Sequence, residues 1–412
     1  MSADALEPVG PEEPPRELRP LDAPRDGVPP VVATPAALVD AVAALAAGRG
    51  PVAVDAERAS GHRYGQRAFL VQLRREGTGT VLLDPAALPD LSAVGGALAG
   101  AEWVLHAASQ DLPCLADVGL SPDVLFDTEL GSRLAGLERV GLAAVVEELL
   151  GLSLAKEHSA VDWSVRPLPE PWLRYAALDV EVLVDLRDAL ATELEQQGKL
   201  DWARQEFAAL AASAPAAPRT DPWRRTSGMH RVRTRRQLAI VRELWWARDT
   251  LAREQDVSPG RIIPDSSIVE AALAQPTTRR ALVSLTSFTG RGSRRHAELW
   301  ADTVQRALAL PDADLPPQHL PTEGPPPPRL WADRDPAAAA RLARAREVVT
   351  ALAAEHALPV ENLVPPDAVR RLCWTPPDPL DVDAVREALH ERGARAWQVE
   401  LTAPALATAL AD

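Results

Sequence analysis

Strand-like runs occur only before residue 211 of this chain, and their order limits the fold more than any other feature. PVAVD (51–55), AFLVQL (68–73) and TVLLD (80–84) are short β-prone runs separated by turns that contain Gly and Arg, so they predict an antiparallel meander. EWVLHA (102–107) predicts a further buried strand. The spacing of apolar residues then predicts helices over 109–118, 128–135, 140–150 and 171–196. Strands followed by strands alternating with helices predict an α/β layer fold.

Proline-rich stretches divide the rest of the chain into helical segments. AASAPAAPRTDP predicts a linker, and DLPPQHLPTEGPPPPR predicts a stiff, extended spacer. The two segments behind them share a rhythm, with VSPGRIIPDSSI in the first matching LPVENLVPPDAV in the second. We therefore expect an α/β domain followed by two copies of one small all-α domain. The expected boundaries are a disordered, acidic, Pro-rich tail at 1–30, the α/β domain at 31–210, a linker at 211–222, a helical domain at 223–312, a Pro-rich linker at 313–329 and a second helical domain at 330–412.

The charge of the chain is uneven. A net charge of -14 argues at first against a nucleic-acid partner, but residues 221–310 hold 16 Arg, no Lys and nine acids, a balance of +7. Arginine suits phosphate because its planar guanidinium offers a fork of donors, so this segment is either a localised nucleic-acid footprint or a set of solvated helix faces. The candidate RNA-contacting residues are Arg231, Arg233, Arg235, Arg236, Arg291, Arg294 and Arg295.

Cysteine content and hydropathy exclude several classes of protein. The only two cysteines, Cys114 and Cys373, lie far apart, which excludes a disulfide framework and a Cys-rich zinc site and suits a reducing compartment. No apolar stretch approaches the roughly 20 residues that span a bilayer, and the first 20 residues lack the apolar core of a signal peptide. We expect a cytoplasmic protein.

Acidic residues stand where apolar patterns predict buried elements. Asp55 and Glu57 lie two apart at the end of the first strand, so they share one face. Either the strand simply reaches solvent at its acidic end, or the two carboxylates are half of a divalent-metal site, because close carboxylates repel unless a positive charge lies between them. Tyr175 and Asp179 fall on one stripe of a helix that otherwise faces the core. A buried carboxylate needs a partner or a metal. Asp111 lies in the first turn of a helix that follows the EWVLHA strand.

In this order, D-x-E, then D, then Y-x-x-x-D resemble the three exonuclease motifs of the DEDD superfamily, tyrosine subtype. VAVDAERASGHRYGQRAFLVQL, WVLHAASQDL, FDTELGSRLAG and SLAKEHSAVDWSVRPLPEPWLRYAALDVEVL resemble the ribonuclease D family over about residues 31–210. ELWWARDTLAREQDVSPGRIIPDSSIVEAAL is similar to the helicase-and-ribonuclease-D C-terminal (HRDC) domain, and 330–412 resembles a more degenerate second copy.

The resemblance implies a ribonuclease H-like fold and a 3′→5′ exoribonuclease. It implies that Asp55, Glu57, Asp111 and Asp179 hold two divalent ions, Mg²⁺ or alternatively Mn²⁺, while Tyr175 orients the attacking water. It also implies an RNA with a free 3′ end as substrate, precursor tRNA being the family's usual one, and release of nucleoside 5′-monophosphates. No protein partner is evident, and we expect a monomer.

Further residues near these motifs are weaker candidates for substrate contact. They are Phe69, Gln72, His106, Lys156 and His158. For Phe69 a place in the core, and for His106 a structural hydrogen bond, are the competing interpretations. Three other functions stay open: the same chemistry on DNA, a non-catalytic RNA-binding protein, and a helicase accessory module. The four intact carboxylates argue against the second, and the lack of a G-x-x-x-x-G-K-[ST] loop excludes ATP hydrolysis by the third.

Overall fold

The computed structural model describes residues 18–155, 161–213, 219–320 and 324–411. Its strands are β1 (Arg19–Leu21), β2 (Val31–Val32), β3 (Arg49–Arg58), β4 (Ala68–Glu76), β5 (Gly79–Leu83), β6 (Glu102–Leu105), β7 (Val124–Asp127) and β8 (Leu152–Leu154). A six-stranded sheet in the order β2–β5–β4–β3–β6–β7 forms the centre of the first domain. β3, β4 and β5 are the predicted antiparallel meander, and β6 and β7 run parallel to β3. The α/β layer prediction is confirmed.

Helices cover this sheet and close its edges. They are α1 (Pro35–Ala47), α2 (Ser92–Ala97), α3 (Leu112–Ala116), α4 (Thr128–Leu134), α5 (Leu142–Leu150), α6 (Glu170–Glu181), α7 (Leu183–Gln196) and α8 (Leu200–Ala211). The helix predicted over 171–196 is divided at Val182, which ends α6 and precedes α7. α6 packs against β3, β4 and β5, and this packing brings the Y-x-x-x-D motif on α6 close to the D-x-E motif on β3.

The predicted disordered tail at 1–30 is wrong for its described part. β1 pairs in parallel with β8, Arg19 opposite Leu152, and the chain continues onto the domain surface. Beyond the strand, Arg25 lies 3.4 Å from the fully buried carboxylate of Glu181. Composition predicted disorder because the segment has little to bury, but an edge strand and an ion pair hold it instead.

Two helical domains follow. The middle helical domain contains α9 (Arg235–Gln255), α10 (Pro259–Ile262), α11 (Asp265–Ala274), α12 (Arg279–Val283), α13 (Arg291–Arg295) and α14 (Ala297–Ala309). The C-terminal helical domain contains α15 (Trp331–Arg334), α16 (Pro336–Glu355), α17 (Val360–Leu363), α18 (Pro366–Trp374), α19 (Val382–His390) and α20 (Ala396–Ala411). A long helix, a one-turn helix and a shorter helix open both domains in that order from α9 and α16. This shared order agrees with the predicted duplication.

The C-terminal helical domain packs directly on the first domain. Trp202 of α8 stacks on Trp397 of α20 with ring centroids 4.9 Å apart and planes 12° from parallel. Trp397 Nε1 donates a hydrogen bond of 3.0 Å to Glu206. Buried residues of the two domains form one continuous hydrophobic cluster, whereas the middle helical domain has a core of its own.

The Pro-rich spacer is not free where it is described. Arg235 donates to the carbonyls of Leu315 (2.5 Å) and Pro316 (3.2 Å), and Arg224 donates to that of Pro317 (2.8 Å). Leu315 is buried. The start of the spacer is therefore part of the middle helical domain. In the described part of the chain, no helix is long and apolar enough to cross a bilayer.

Candidate metal centre

Three carboxylates meet where β3 and α6 cross. Oxygen atoms of Asp55, Glu57 and Asp179 all lie within 4.8 Å of one another. Asp55 and Glu57 share a face of β3 because side chains alternate along a strand, and Asp179 reaches them from α6. The sequence prediction that the first and third motifs converge is thus seen in the geometry.

Asp111 adds a fourth carboxylate near the same centre, from the turn that follows β6. Between β6 and α3 the chain turns sharply through Ala107, whose φ of 59° is left-handed. Asp111 follows this turn and is buried. Its Oδ1 forms an ion pair with Nη2 of Arg58 at 3.1 Å and accepts no hydrogen bond from the described residues. Asp111 therefore has a carboxylate oxygen available as a ligand, although it lies outside the tight group of three.

Burial and mutual repulsion make the four carboxylates electrostatically costly. Burial, followed by the charges of Asp55, Asp179 and Asp111, raises the pKa of Glu57 from 4.5 to about 10. Burial and the charge of Asp55 raise the pKa of Asp111 from 3.8 to about 8. The pKa values of Asp55 and Asp179 are raised as well, chiefly by burial. Divalent cations would relieve this repulsion, and an all-carboxylate ligand set suits a hard ion such as Mg²⁺ or Mn²⁺.

Tyr175 stands beside this cluster as the sequence predicts. It lies one turn before Asp179 on α6, and its hydroxyl is hydrogen-bonded to that carboxylate. Burial, and then the charge of Asp179, raises the pKa of Tyr175 above its ordinary value of 10. The phenol therefore keeps its proton at neutral pH, so it can hold a water molecule but cannot act as a base.

Gln72 and Phe69, two predicted substrate contacts, take different places. Gln72 pairs with Asp55 across β3 and β4, is fully buried, and has no hydrogen-bond partner for its amide within the described residues. A buried amide usually has a hydrogen-bond partner. Its lack of one beside Asp55 fits a site in which bound metal, water or substrate would supply that partner. Phe69 is buried in a small core with Trp163 and Ala176, so it is a packing residue there.

His106 contacts the start of α4, next to the site. Its Nδ1 lies 2.9 Å from Oγ1 of Thr128, and this hydroxyl itself donates to the carbonyl of Leu105 at 3.1 Å. Which group donates in the contact between His106 and Thr128 depends on the tautomer of the ring. Burial lowers the pKa of His106 to about 4, so the ring is neutral at pH 7. The structural interpretation of His106 is favoured. Lys156 and His158 lie outside the described residues.

Asp127 and Arg58 also belong to the site, although neither is among the residues predicted to form it. Asp127 is buried at the end of β7 and accepts backbone hydrogen bonds from Ala107 (3.1 Å) and Ala108 (2.9 Å). It thereby fixes the turn that presents Asp111. Both residues stand inside the quoted motifs, in FDTEL and DAERA, but nothing local to either motif shows a contact with the turn before Asp111.

The predicted RNA-contacting arginines divide into two groups. The structure does not favour Arg235 and Arg236 as phosphate ligands, because both side chains already donate to backbone carbonyls of the 307–316 segment. Five others are exposed, and their side chains have no hydrogen bond or ion pair among the described residues. They are Arg231, Arg233, Arg291, Arg294 and Arg295.

The comparisons with known proteins agree along most of the chain. Residues 29–195 match the family model of a 3′-5′ exonuclease, 237–304 match an HRDC domain, and 324–410 match a 3′ to 5′ exonuclease C-terminal domain. A ribonuclease D of Gluconacetobacter diazotrophicus is 34% identical over 284 residues, which cover 67% of this chain and 71% of that protein.

Two solved structures resemble the whole chain. A protein from Bifidobacterium adolescentis is 41% identical, with a TM-score of 0.88 and coverage of 96% of this chain and 100% of that one. RNase D of Escherichia coli, described as an exoribonuclease involved in structured RNA processing, is 27% identical, with a TM-score of 0.67 and coverage of 93% and 98%.

Proposed function

The chain belongs to the ribonuclease D family and is a 3′→5′ exoribonuclease, and we propose that it trims the 3′ ends of structured RNA by a two-metal mechanism. The RNase D of Escherichia coli processes structured RNA, which supports this substrate class and precursor tRNA as a member of it. The observation that carries the mechanism is the convergence of Asp55, Glu57 and Asp179 within 4.8 Å.

The proposed reaction is hydrolysis of the last phosphodiester bond. Water attacks phosphorus, the bond from phosphorus to the 3′-oxygen of the preceding nucleotide breaks, and that oxygen takes up a proton. The products are a nucleoside 5′-monophosphate and an RNA that again ends in a 3′-hydroxyl. Two bound divalent ions would supply the positive charge that stabilises the attacking and leaving oxygens.

The protein groups hold and orient the reactants. Asp55, Glu57, Asp111 and Asp179 would hold the ions, since their carboxylates share the centre and the single positive charge of Arg58 does not balance four negative ones. The hydroxyl of Tyr175 donates a hydrogen bond to Asp179, which leaves its oxygen lone pairs to accept a hydrogen bond from the attacking water. Because the phenol stays protonated, its contribution is orientation, and the proton of the water leaves to solvent.

A direct assay tests this proposal. The full-length protein is incubated with 5′-labelled RNA that ends in a 3′-hydroxyl, with the same RNA ending in a 3′-phosphate, and with matched DNA, each with Mg²⁺, with Mn²⁺ and with chelator. We expect stepwise shortening of the hydroxyl-ended RNA, nucleoside 5′-monophosphate by mass spectrometry, and no reaction in chelator. Cleavage that survives chelation would refute the metal mechanism, and faster cleavage of DNA would refute the RNA preference.

A further inference from the structure

Tyr64 connects the middle helical domain to the loop that follows β3. This β3–β4 loop (residues 59–67) begins two residues after Glu57. The Tyr64 hydroxyl lies 3.1 and 3.2 Å from the carboxylate oxygens of Asp249, and Arg253 donates to the same hydroxyl at 3.1 Å. Arg253 also donates to Asp249 at 3.0 Å. Tyr64 therefore donates to an acid and accepts from a base that are themselves paired, and its ring packs against the core of the helical domain.

The backbone of the β3–β4 loop is held by the same domain. The amide of Ser258, just before α10, donates to the carbonyl of His62 at 3.0 Å. Arg261 donates to the carbonyl of Gly61 at 2.9 Å. The middle helical domain thus holds the loop through two backbone carbonyls as well as through the side chain of Tyr64.

The opposite side of the loop contacts the segment that leads into α6. Arg63 Nε donates to Oγ of Ser164 at 2.7 Å. Ala59, at the start of the loop, is buried together with Trp163 and Ala176. α6 carries Tyr175 and Asp179. The loop therefore joins the helical domain to both elements that supply the carboxylates, β3 directly and α6 through residues 161–166.

We propose that the middle helical domain positions the metal centre through the Tyr64–Asp249–Arg253 cluster, separately from any contact that it makes with RNA. A loop of this length would otherwise sample many conformations, and ordering it costs entropy. Docking of the middle helical domain orders the loop before substrate binds. The carboxylates of Glu57 and Asp179 are therefore already in position to bind metal. Tyr64 and Asp249 are positioning residues, since neither touches the reacting atoms. The inference rests on the proposed nuclease function.

The test is turnover of a substrate too short to reach the helical domain. Full-length wild type, Tyr64→Phe and Asp249→Asn are assayed on a ribodinucleotide and on a long RNA, with kcat and KM measured separately. The control is Arg242→Gln, which removes an ion pair on α9 with Glu243 and leaves the loop contacts intact. Hydrogen exchange of residues 59–67 reports on loop order without reference to activity.

The expected result is a fall in kcat on the dinucleotide of about tenfold, equivalent to about 1.4 kcal/mol in the barrier, with KM nearly unchanged. The same factor should appear on long RNA, exchange in the loop should quicken, and the control should match wild type. The double variant should be no worse than either single one, because both changes break one contact. Unchanged dinucleotide kcat in both variants, with active wild type, would overturn the positioning role alone. No cleavage by wild type would instead overturn the nuclease function itself.

Discussion

The substitution Glu57→Gln should stabilise the metal-free protein. In the folded state the pKa of Glu57 is about 10, against 4.5 ordinarily. Between pH 4.5 and about pH 10, Glu57 is protonated in the folded protein and ionised in the unfolded chain. The free energy of unfolding of the wild type therefore falls as pH rises. Glutamine has the shape of the protonated glutamic acid and does not titrate. The variant should therefore lack this loss.

The size of the effect follows from the pKa. Neutral pH lies about 2.5 pH units above the ordinary pKa, and each unit corresponds to about 1.4 kcal/mol. The gain at pH 7 should thus reach about 3 kcal/mol, and the difference between variant and wild type should widen by about 1.4 kcal/mol per pH unit from pH 6 to 9. Adding Mg²⁺ should reverse the order, because a ligand that binds only the folded state stabilises it, and the variant has lost a carboxylate ligand.

Urea unfolding at pH 6, 7, 8 and 9 in chelator measures these quantities. Glu102→Gln is the matched control: the same chemical change at a carboxylate that pairs with Arg187 at 2.6 Å, where no stabilisation is expected. Parallel pH dependences for Glu57→Gln and wild type would show that Glu57 does not carry a buried proton, and the argument from repulsion at the metal centre would fail.

Three further predictions concern activity and binding. Asp179→Asn should lower the rate of RNA cleavage by well over tenfold while the protein stays folded; a tenfold fall corresponds to about 1.4 kcal/mol in the barrier. Activity within tenfold of wild type would contradict the ligand assignment. Tyr175→Phe should lower kcat and leave Mg²⁺ affinity by calorimetry unchanged; equal kcat would argue against water orientation. Replacing Arg291, Arg294 and Arg295 together with Gln should flatten the salt dependence of RNA binding by about 2 logarithmic units per decade, at about 0.7 for each lost phosphate contact on a single strand; superimposable slopes would show that α13 does not contact phosphate.

The periodicity of strands and helices was enough to predict which site residues share a face of one strand or one helix. Alternation along a strand placed Asp55 and Glu57 on one face, and helical spacing placed Tyr175 one turn from Asp179. Four of the eight strands among the described residues, and the helices α3 to α7, followed from the same patterns, whereas α1 and α8 were not predicted. These predictions concern residues within about one turn or one strand of each other, where neighbours in sequence are neighbours in space.

Long-range pairing accounts for what sequence reasoning missed. β1 is stable because β8 lies beside it, more than a hundred residues later. Arg235 and Arg236 have the composition of a phosphate-binding patch, yet Arg235 donates to carbonyls of the spacer and Arg236 to carbonyls at the end of α14 and just after it. The pairing of Arg58 with Asp111 and the support of the Asp111 turn by Asp127 likewise depend on how β3, β6 and β7 assemble. No local pattern encodes such partners.

The stacking of Trp202 on Trp397 has a consequence for how the chain comes apart. Because the first domain and the C-terminal helical domain share one core, they should melt as a single calorimetric unit although 235–309 separate them in sequence. The middle helical domain, with its own core, can open while both ends of the chain stay folded around it. A partly unfolded molecule would then be a closed loop of chain rather than a protein with a loose end, and a break within the middle domain would leave its two fragments joined.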